Sequence, residues 1–566
     1  MKILHNHLGY RPAARKVALV QADAGTAPGT DFILFDTLRR EAVLQGPLQA
    51  LGSSGWRSWQ HWAADFSAVH QEGEFQLCVP GLAPPLVSHP FPIGPRVGDG
   101  QLLSDLLHYV KGQRCGGIFD AADRHCPVID SPARVDVHGG WYDASGDASK
   151  YLSHLSYANF MNPQQTPQLV WNLIEGRSRI ADPGVWMEDR LVDEALHGAD
   201  FLLRMQHPDG YFHMTVFDRW SKDVAQRQIC SYATQQGQLL ASHQAGWRQG
   251  GGSTIAALAR ASGLPRDGVF VRESYLAGAE RGFAHLERHN RAYLDDGCEN
   301  IIDDYCALLA AAELWAATGT QRYRGAMLSR AERLSARQHE EGWFWADDAR
   351  TRSFFHAADA GLPLVALLRA QNLMPDGSAE QAAVRETLAR GLRHELRITQ
   401  QAGPNPFGLP RQRVQMPGQP AQARFFMPHD NESGYWWQGE NARLASLATA
   451  AIWARPLLAA TDPAFDQGLR TYAQDALDWI FGRNPFDTCM MQGAGHHPPR
   501  YEAGLWNAPG GVCNGVTAGL DDEDDIDFRM PWETEPRHSW RWGEQWLPHA
   551  AWLFLALACH AEDTQR

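Results

Sequence analysis

The chain has no CxxC pair and no HExxH, and nowhere does it gather the roughly 18 to 20 apolar residues in a row that a bilayer span needs. Its nine cysteines, an odd number at unpatterned spacings, read as buried thiols rather than a disulfide framework or a zinc knuckle. Positive charge is in deficit: 51 Lys and Arg face 65 Asp and Glu, a net charge of −14. Nucleic acid and an anionic membrane surface would both meet repulsion, so neither is an expected partner, and a neutral or cationic ligand fits better. The opening MKILHNHLGYRP lacks the apolar core of a signal peptide, which sets the expected location in the cytoplasm. No short-period repeat suggests a solenoid.

What is present is a globular chain of 566 residues, 44% hydrophobic and 20% charged, long enough for more than one unit. Residues 1–97 carry short β-rich runs, KVALV, DFILFD and EGEFQLCVPG, broken by Gly, Pro and Asp, and predict a small β-sandwich. Leu82 to Pro95 is too rich in proline for a helix and reads as a last strand followed by a linker. Over 98–566 apolar residues recur at helical spacing, as at Leu191, Val192, Ala195, Leu196, Ala199, Leu202 and Leu203. Roughly a dozen helices fit that length, arranged as a closed toroid or as two packed layers. Long connections, Gln401 to Gly434 and Gly493 to Ser539, interrupt them, and loops of that length inside a domain are usually functional.

Two constellations carry chemistry. In VHGGWYDASGDASKY, Val137 to Tyr151, Asp143 and Asp147 stand four apart among glycines that let the backbone approach a ligand. Two carboxylates in such a loop can orient and deprotonate a water molecule. Asx-turns and helix caps are the competing reading of the same residues. In RWGEQWLPHAAWLFLALA, Glu544 lies among Trp540, Trp542 and Trp546. Indole rings would desolvate it and keep it protonated as an acid, whereas a plain capping role is the alternative. If the acid and the aspartates meet in space, they satisfy glycoside hydrolysis with inversion, which needs the acid and base roughly 6.5 to 9.5 Å apart.

Trp343 with Trp345, and Trp436 with Trp437, are candidate sugar-stacking pairs, among 21 tryptophans in all. The neighbours His496 and His497 invite a metal, but adjacent side chains diverge and no carboxylate completes a zinc pattern. The acidic run Asp521 to Asp527 would suit calcium by composition but lacks the spacing of a calcium loop, and no cofactor is required.

Taken in order, NHLGYRPAARKVALV, SHPFPIG, YVKGQRCG, GGWYDASGD, DEALHGADFLLRMQHPDG, WWQGENARLASLA and FGRNPFDTCMMQGAGHHPPR resemble the family 9 glycoside hydrolases that carry an N-terminal immunoglobulin-like domain. The resemblance covers nearly the whole chain. It implies an immunoglobulin-like β-sandwich followed by an all-α (α/α)6 barrel, with Asp147 as general base, Asp143 helping to hold the water and Glu544 as general acid. It also implies substrate contacts at Trp141, Tyr142, Trp436, Trp437, Glu440, His497 and Arg500, and a structural or subsite role at Asn441. Here Ala144, Ser145 and Gly146 separate the aspartates where the family has two residues, and Pro498 and Pro499 separate His497 from Arg500. DASGDASKYLSHLSYANFMNPQQTP and HDNESGYWWQGENARL resemble a cytoplasmic, exo-acting branch that removes single sugars, notably glucosamine from chitosan oligosaccharides. For that substrate the C2 ammonium would need a carboxylate, with Asp143, Glu440 and Glu432 as the candidates. The expected partner is thus a short oligosaccharide. Glucose oligomers, cut by a cellobiase, cellodextrinase or endoglucanase, and a non-catalytic sugar-binding role are the alternatives.

Overall fold

The computed structural model describes all residues except 96, 98–99, 235, 435–437, 459–461, 500–503, 536–537 and 566, and except the side chains of 531 and 562–565. Two antiparallel sheets form the N-terminal domain. One runs in the order β1 (Lys2–Leu4), β2 (Val17–Ala22), β6 (Gln60–Asp65), β5 (Gln49–Gly52). The other runs β4 (Glu41–Pro47), β3 (Asp31–Asp36), β7 (Gly73–Val79), β8 (Leu86–Val87), with β9 (Phe91–Ile93) also paired to β7. Strand β2 is buried along its whole length because both of its faces are covered. Ala18 and Val20 join Phe32, Leu34, Phe75 and Leu77 inside the sandwich, whereas Val17 and Leu19 join the helical core. That double burial is why KVALV reads as a continuous apolar run rather than an alternating one.

Among the described residues, twelve long helices follow in inner and outer pairs, besides two short ones at Gly117–Asp123 and Trp540–Gly543. The inner ones are α2 (Thr166–Arg179), α4 (Gly252–Ala261), α6 (Ile301–Thr318), α8 (Leu362–Gln371), α10 (Asn441–Leu458) and α12 (Leu547–Gln565). Each packs on the next, and α12 returns to α2, which closes the ring. Behind them stand α1 (Gln101–Gly112), α3 (Gly184–Arg204), α5 (Arg272–Tyr293), α7 (Gln321–Ala336), α9 (Ala379–Gln401) and α11 (Pro463–Ile480). This is an (α/α)6 barrel, and composition sorts its helices. Inner α6, IIDDYCALLAAAELWAAT, is buried from Ile301 to Leu314, with its acidic residues Asp303, Asp304 and Glu313 paired to Arg248, Arg337 and Arg369. Outer α3 buries one stripe, Met187, Leu191, Ala195, Ala199 and Leu202 among them. Asn300 caps α6 by accepting from the Ile302 N–H at 2.8 Å, and Gly319 ends the helix in the left-handed region at φ 63°.

The domains meet on an aromatic seam. Trp56 lies within 4.7 to 6.3 Å, centroid to centroid, of Phe425, Trp479, Phe407 and Phe426. Three of those rings belong to the connection 401–434, so part of a segment expected to be functional serves instead as the dock for the β-domain. The acidic run Asp521 to Asp527 is likewise occupied: Arg57 bonds Asp525 and Asp527, Arg424 bonds Glu523 and Asp524, and Arg529 bonds Asp527.

Candidate active site

The aspartate loop is a tight knot. Ala144 and Asp147 exchange backbone hydrogen bonds at 3.4 and 3.2 Å, and the Asp143 N–H donates to the Ser149 carbonyl at 2.9 Å. The three residues between the aspartates are thereby absorbed in a turn, and both carboxylates stay buried within it. A second segment clasps this knot from the far end of the chain. Ser145 N–H donates to the Gln545 carbonyl at 2.9 Å, Gln545 N–H to Ser145 Oγ at 3.0 Å, and Leu547 N–H to the Asp143 carbonyl at 3.0 Å. Glu544 is the next residue along that clasp, and its Oε1 rests so close over Gly146 that a Cβ there would collide with it.

Each carboxylate has its own surroundings. Asp147 Oδ2 accepts from the Tyr151 hydroxyl at 2.8 Å and Oδ1 from the Ser149 N–H at 2.8 Å. Burial, then the charge of Asp218, pushes Asp147 up to about 6 despite those donors. Asp143 Oδ1 accepts from the Trp546 indole at 3.1 Å, and Gln165 and His154 Nδ1, the latter at 3.8 Å, stand beside it. Burial, with Asp147 and Glu544 adding, holds Asp143 well above the ordinary carboxylate range. Glu544 is pushed up to about 8, first by burial and then by Asp147. The Tyr109 hydroxyl is buried and has no hydrogen-bond partner among the described residues. One group biased toward the proton and another poised to lose it near neutrality, held in one clasp, can protonate a leaving oxygen and activate a water.

Residues 100–503 match the family described as Glycosyl hydrolase family 9, and residues 1–83 match the Cellulase N-terminal ig-like domain. The chain belongs to glycosyl hydrolase family 9. That family consists of enzymes that cleave glycosidic bonds. The chain is 26% identical over 372 residues to the xyloglucan-specific endo-beta-1,4-glucanase BoGH9A of Bacteroides ovatus, covering 58% of this chain and 60% of that protein. It is 25% identical over 244 residues to Endoglucanase D of Acetivibrio thermocellus, covering 37% of this chain and 34% of that one. The chain thus spans less than two thirds of the length of these curated relatives. In fold, it resembles a Bacteroides ovatus GH9 structure at TM-score 0.67 and 20% identity, covering 100% of this chain and 99% of that one. A metagenome-derived family 9 endoglucanase structure matches at TM-score 0.69 and 19% identity, covering 99% of each chain.

Several expected contacts of this family 9 chain fall elsewhere. Trp141 is fully buried, its indole donating to Glu194 at 3.3 Å and its ring pressed on Gly198, so it is core rather than a sugar platform. Glu440 is not a free ammonium acceptor: Arg443 Nε and the Met427 N–H take its two oxygens, each at 2.6 Å. Asn441 is buried and donates to the Cys513 carbonyl at 2.7 Å, bracing a segment whose Asn514 N–H holds the Glu544 carbonyl at 2.8 Å; its role is support. Glu432 accepts from the Phe160 N–H at 2.9 Å, with Arg352 at 3.6 Å. His497 turns to Asp487, at 3.1 Å, and to the N-terminal domain's His7 and His89. Trp343 and Trp345 pack on each other, with His339 stacked and Arg413 lying over Trp343. Trp436, Trp437 and Arg500 lie outside the described residues. The Tyr142 ring lies 5.7 Å from that of Trp506, a 41%-exposed indole that sequence reasoning passed over. Asp218, His154, Tyr109, Gln165 and Lys222 were also missed. His154 and Gln165 lie in the stretch DASGDASKYLSHLSYANFMNPQQTP and Tyr109 opens YVKGQRCG, but nothing local marks them as facing the carboxylates, and Asp218 and Lys222 sit in no quoted motif.

Proposed function

We propose that the protein is an inverting, exo-acting β-glycosidase that works on short β-1,4-linked oligosaccharides and releases glucosamine from chitosan oligomers. The observation that carries the reading is the crowding of four buried or half-buried carboxylates, Asp143, Asp147, Asp218 and Glu544, around one cleft. Lys222 is the cation set against Glu544, and Arg227 is already committed to Asp123 at 2.6 and 3.0 Å. These carboxyls hold protons that a bound ammonium would help displace, so the cluster can meet a cationic sugar with charge formed on binding. With Glu440 and Glu432 both engaged, Asp143 is left as the ammonium partner, and binding of the cation would draw it into its ionised form.

In the reaction Glu544 gives its proton to the glycosidic oxygen while Asp147 takes one from a water that attacks the anomeric carbon from the opposite face. Tyr151 and Ser149 keep the Asp147 carboxylate aimed by bonding one oxygen each. Nine cysteines without a disulfide, eight of them not exposed, support a reducing, cytoplasmic setting.

Hydrolysis of neutral β-1,4-glucans is the second reading, favoured by what the curated relatives act on, xyloglucan for one of them. Time-resolved proton NMR on an equimolar mixture of glucosamine dimer and cellobiose separates the two. Faster loss of the glucosamine dimer with α-anomer first is expected. Preference for cellobiose moves the substrate to glucose oligomers, a rapid viscosity loss on soluble glucan makes the enzyme endo-acting, and no turnover of any substrate leaves a sugar-binding protein.

A further inference from the structure

Beside the catalytic knot runs a turn whose backbone is costly to build. Arg219, Trp220 and Lys222, none of them glycine, adopt φ of 60, 57 and 56°, a left-handed conformation that side chains rarely take. At one end of the turn is Asp218, fully buried. Ser149 Oγ donates to Asp218 Oδ1 at 3.1 Å while the same residue's N–H donates to Asp147 Oδ1 at 2.8 Å, so one serine links the two carboxylates. The left-handed turn bends the N–H groups of Trp220 and Lys222 back toward Asp218. At the other end, Lys222 Nζ donates to the Gly504 carbonyl at 2.6 Å and sits 4.4 Å from the Trp506 ring. That strap crosses the site: Trp506 N–H donates to the Ser145 carbonyl at 2.7 Å, and Leu505 and Glu544 Oε1 both crowd Gly146.

We propose that the 218–222 turn is an electrostatic tuning device for the acid and base, in which Asp218 is a positioning residue acting on Asp147 through Ser149 and Lys222 acts on Glu544 across the strap. The inference rests on the reading of Asp147 as base and Glu544 as acid.

The strain is retained because the turn delivers opposite charges to two groups that must titrate apart. Burial raises the Asp218 carboxyl itself, and wherever it is ionised its negative charge makes Asp147 hold a proton more strongly, which strengthens Asp147 as a base. A positive charge near Glu544 restrains the rise that burial imposes, so the acid can still release its proton. Other groups face the same atoms. Asp147 meets Ser149, Tyr151, Tyr232, Asp143 and Glu544. Asp218 meets Ser149 and Arg227, whose guanidinium is bound to Asp123. Glu544 meets Asp143, Asp147 and Tyr109. Of these, Asp218 and Lys222 are the two that the strained turn supplies.

The test is the pH profile of kcat/KM for wild type, Asp218→Asn and Lys222→Gln, on whichever of glucosamine dimer or cellobiose the wild type cleaves faster. Asp218→Asn should move the acidic limb down by about one pH unit and lower the plateau several-fold, as a weaker base does, with the basic limb unchanged. Lys222→Gln should move the basic limb up and leave the acidic limb in place. A purely structural role would lower activity without moving either limb. A folded Asp218→Asn enzyme whose acidic limb stays put overturns the inference. Should that variant not fold, Asp218→Ser is read the same way. Should neither fold, Lys222→Gln decides, since its partly exposed side chain can be changed without disturbing the core. Azide added to Asp147→Ala runs alongside: rescue with unmoved limbs sinks this inference alone, whereas no rescue sinks the assignment of Asp147 as base and the inference with it.

Discussion

At the scale of single residues the chemistry depends on keeping two carboxyl groups on opposite sides of neutrality. As the proposed base, Asp147, raised to about 6, has to be ionised, so activity should fall as pH drops through that value. As the proposed acid, Glu544, raised to about 8, has to be protonated, so activity should fall as pH rises through that one. A bell-shaped kcat/KM profile with limbs near 6 and 8 is the expected outcome of a pH-rate measurement. The same burial makes Glu544 a cost to the fold. A carboxyl whose folded pKa lies above its unfolded one stabilises the native state at low pH and loses that contribution as pH rises through the folded value. Glu544→Gln should therefore cut turnover by about 10²- to 10⁴-fold, keep sugar binding, and raise the melting temperature at pH 8 but not at pH 4. Calorimetry at the two pH values checks the stability half. An unchanged kcat would remove Glu544 from the mechanism.

At the scale of elements, the clasp between 143–147 and 544–547 decides whether the acid and base face each other. Gly146 is the point where the two segments touch, and a methyl group there would run into Glu544 Oε1 and come within 2.9 Å of Leu505. Its φ is not left-handed, so alanine strains the contact and not the backbone. Gly146→Ala should displace the acid and lower kcat by about 10²-fold, the cost of a misplacement near 1 Å, while the melting temperature moves little. Equal losses in stability and activity would mean that the clasp is scaffold rather than aim.

At the scale of the whole molecule the β-domain is bound to the barrel by apolar and titratable contacts together. Trp56 is inserted among Phe407, Phe425, Phe426 and Trp479, and Trp56→Ala should cost about 3 to 5 kcal/mol in denaturant unfolding while leaving the kcat of the folded fraction intact. Beside it, His5, His7 and His89 meet His496, His497 and Asp487, with His7 bonded to Asp487 at 2.9 Å. Burial and neighbouring imidazoles lower His5 to about 3 and His496 to about 4. A histidine whose folded pKa is depressed contributes stability above its unfolded value and loses it as pH falls. Thermal melts should therefore show the seam weakening from about pH 6.5 downward, and a His5→Phe variant should lose less over that range.

What the sequence determined by itself was local or contiguous. Alternation and turn residues mark the β-domain, largely apolar stretches such as Ile301 to Leu314 mark helices buried on every side, and GGWYDASGD with RWGEQW places the three carboxylates in recognisable neighbourhoods. Backbone periodicity and short motifs need only near neighbours, so one chain read from end to end carries them. Only the tertiary structure decided which polar residues serve the cleft. Glu440, four residues after the start of a promising tryptophan pair, is spent on Arg443, whereas Asp218 and Lys222, in an unremarked loop, stand against the proposed base and acid. Glu544 reaches the aspartates because the ring of helices closes, setting α12 against α2 and the loops above them side by side. Ring closure is a long-range event, and the partner of a buried charge is fixed by that geometry and not by the residues beside it in the chain.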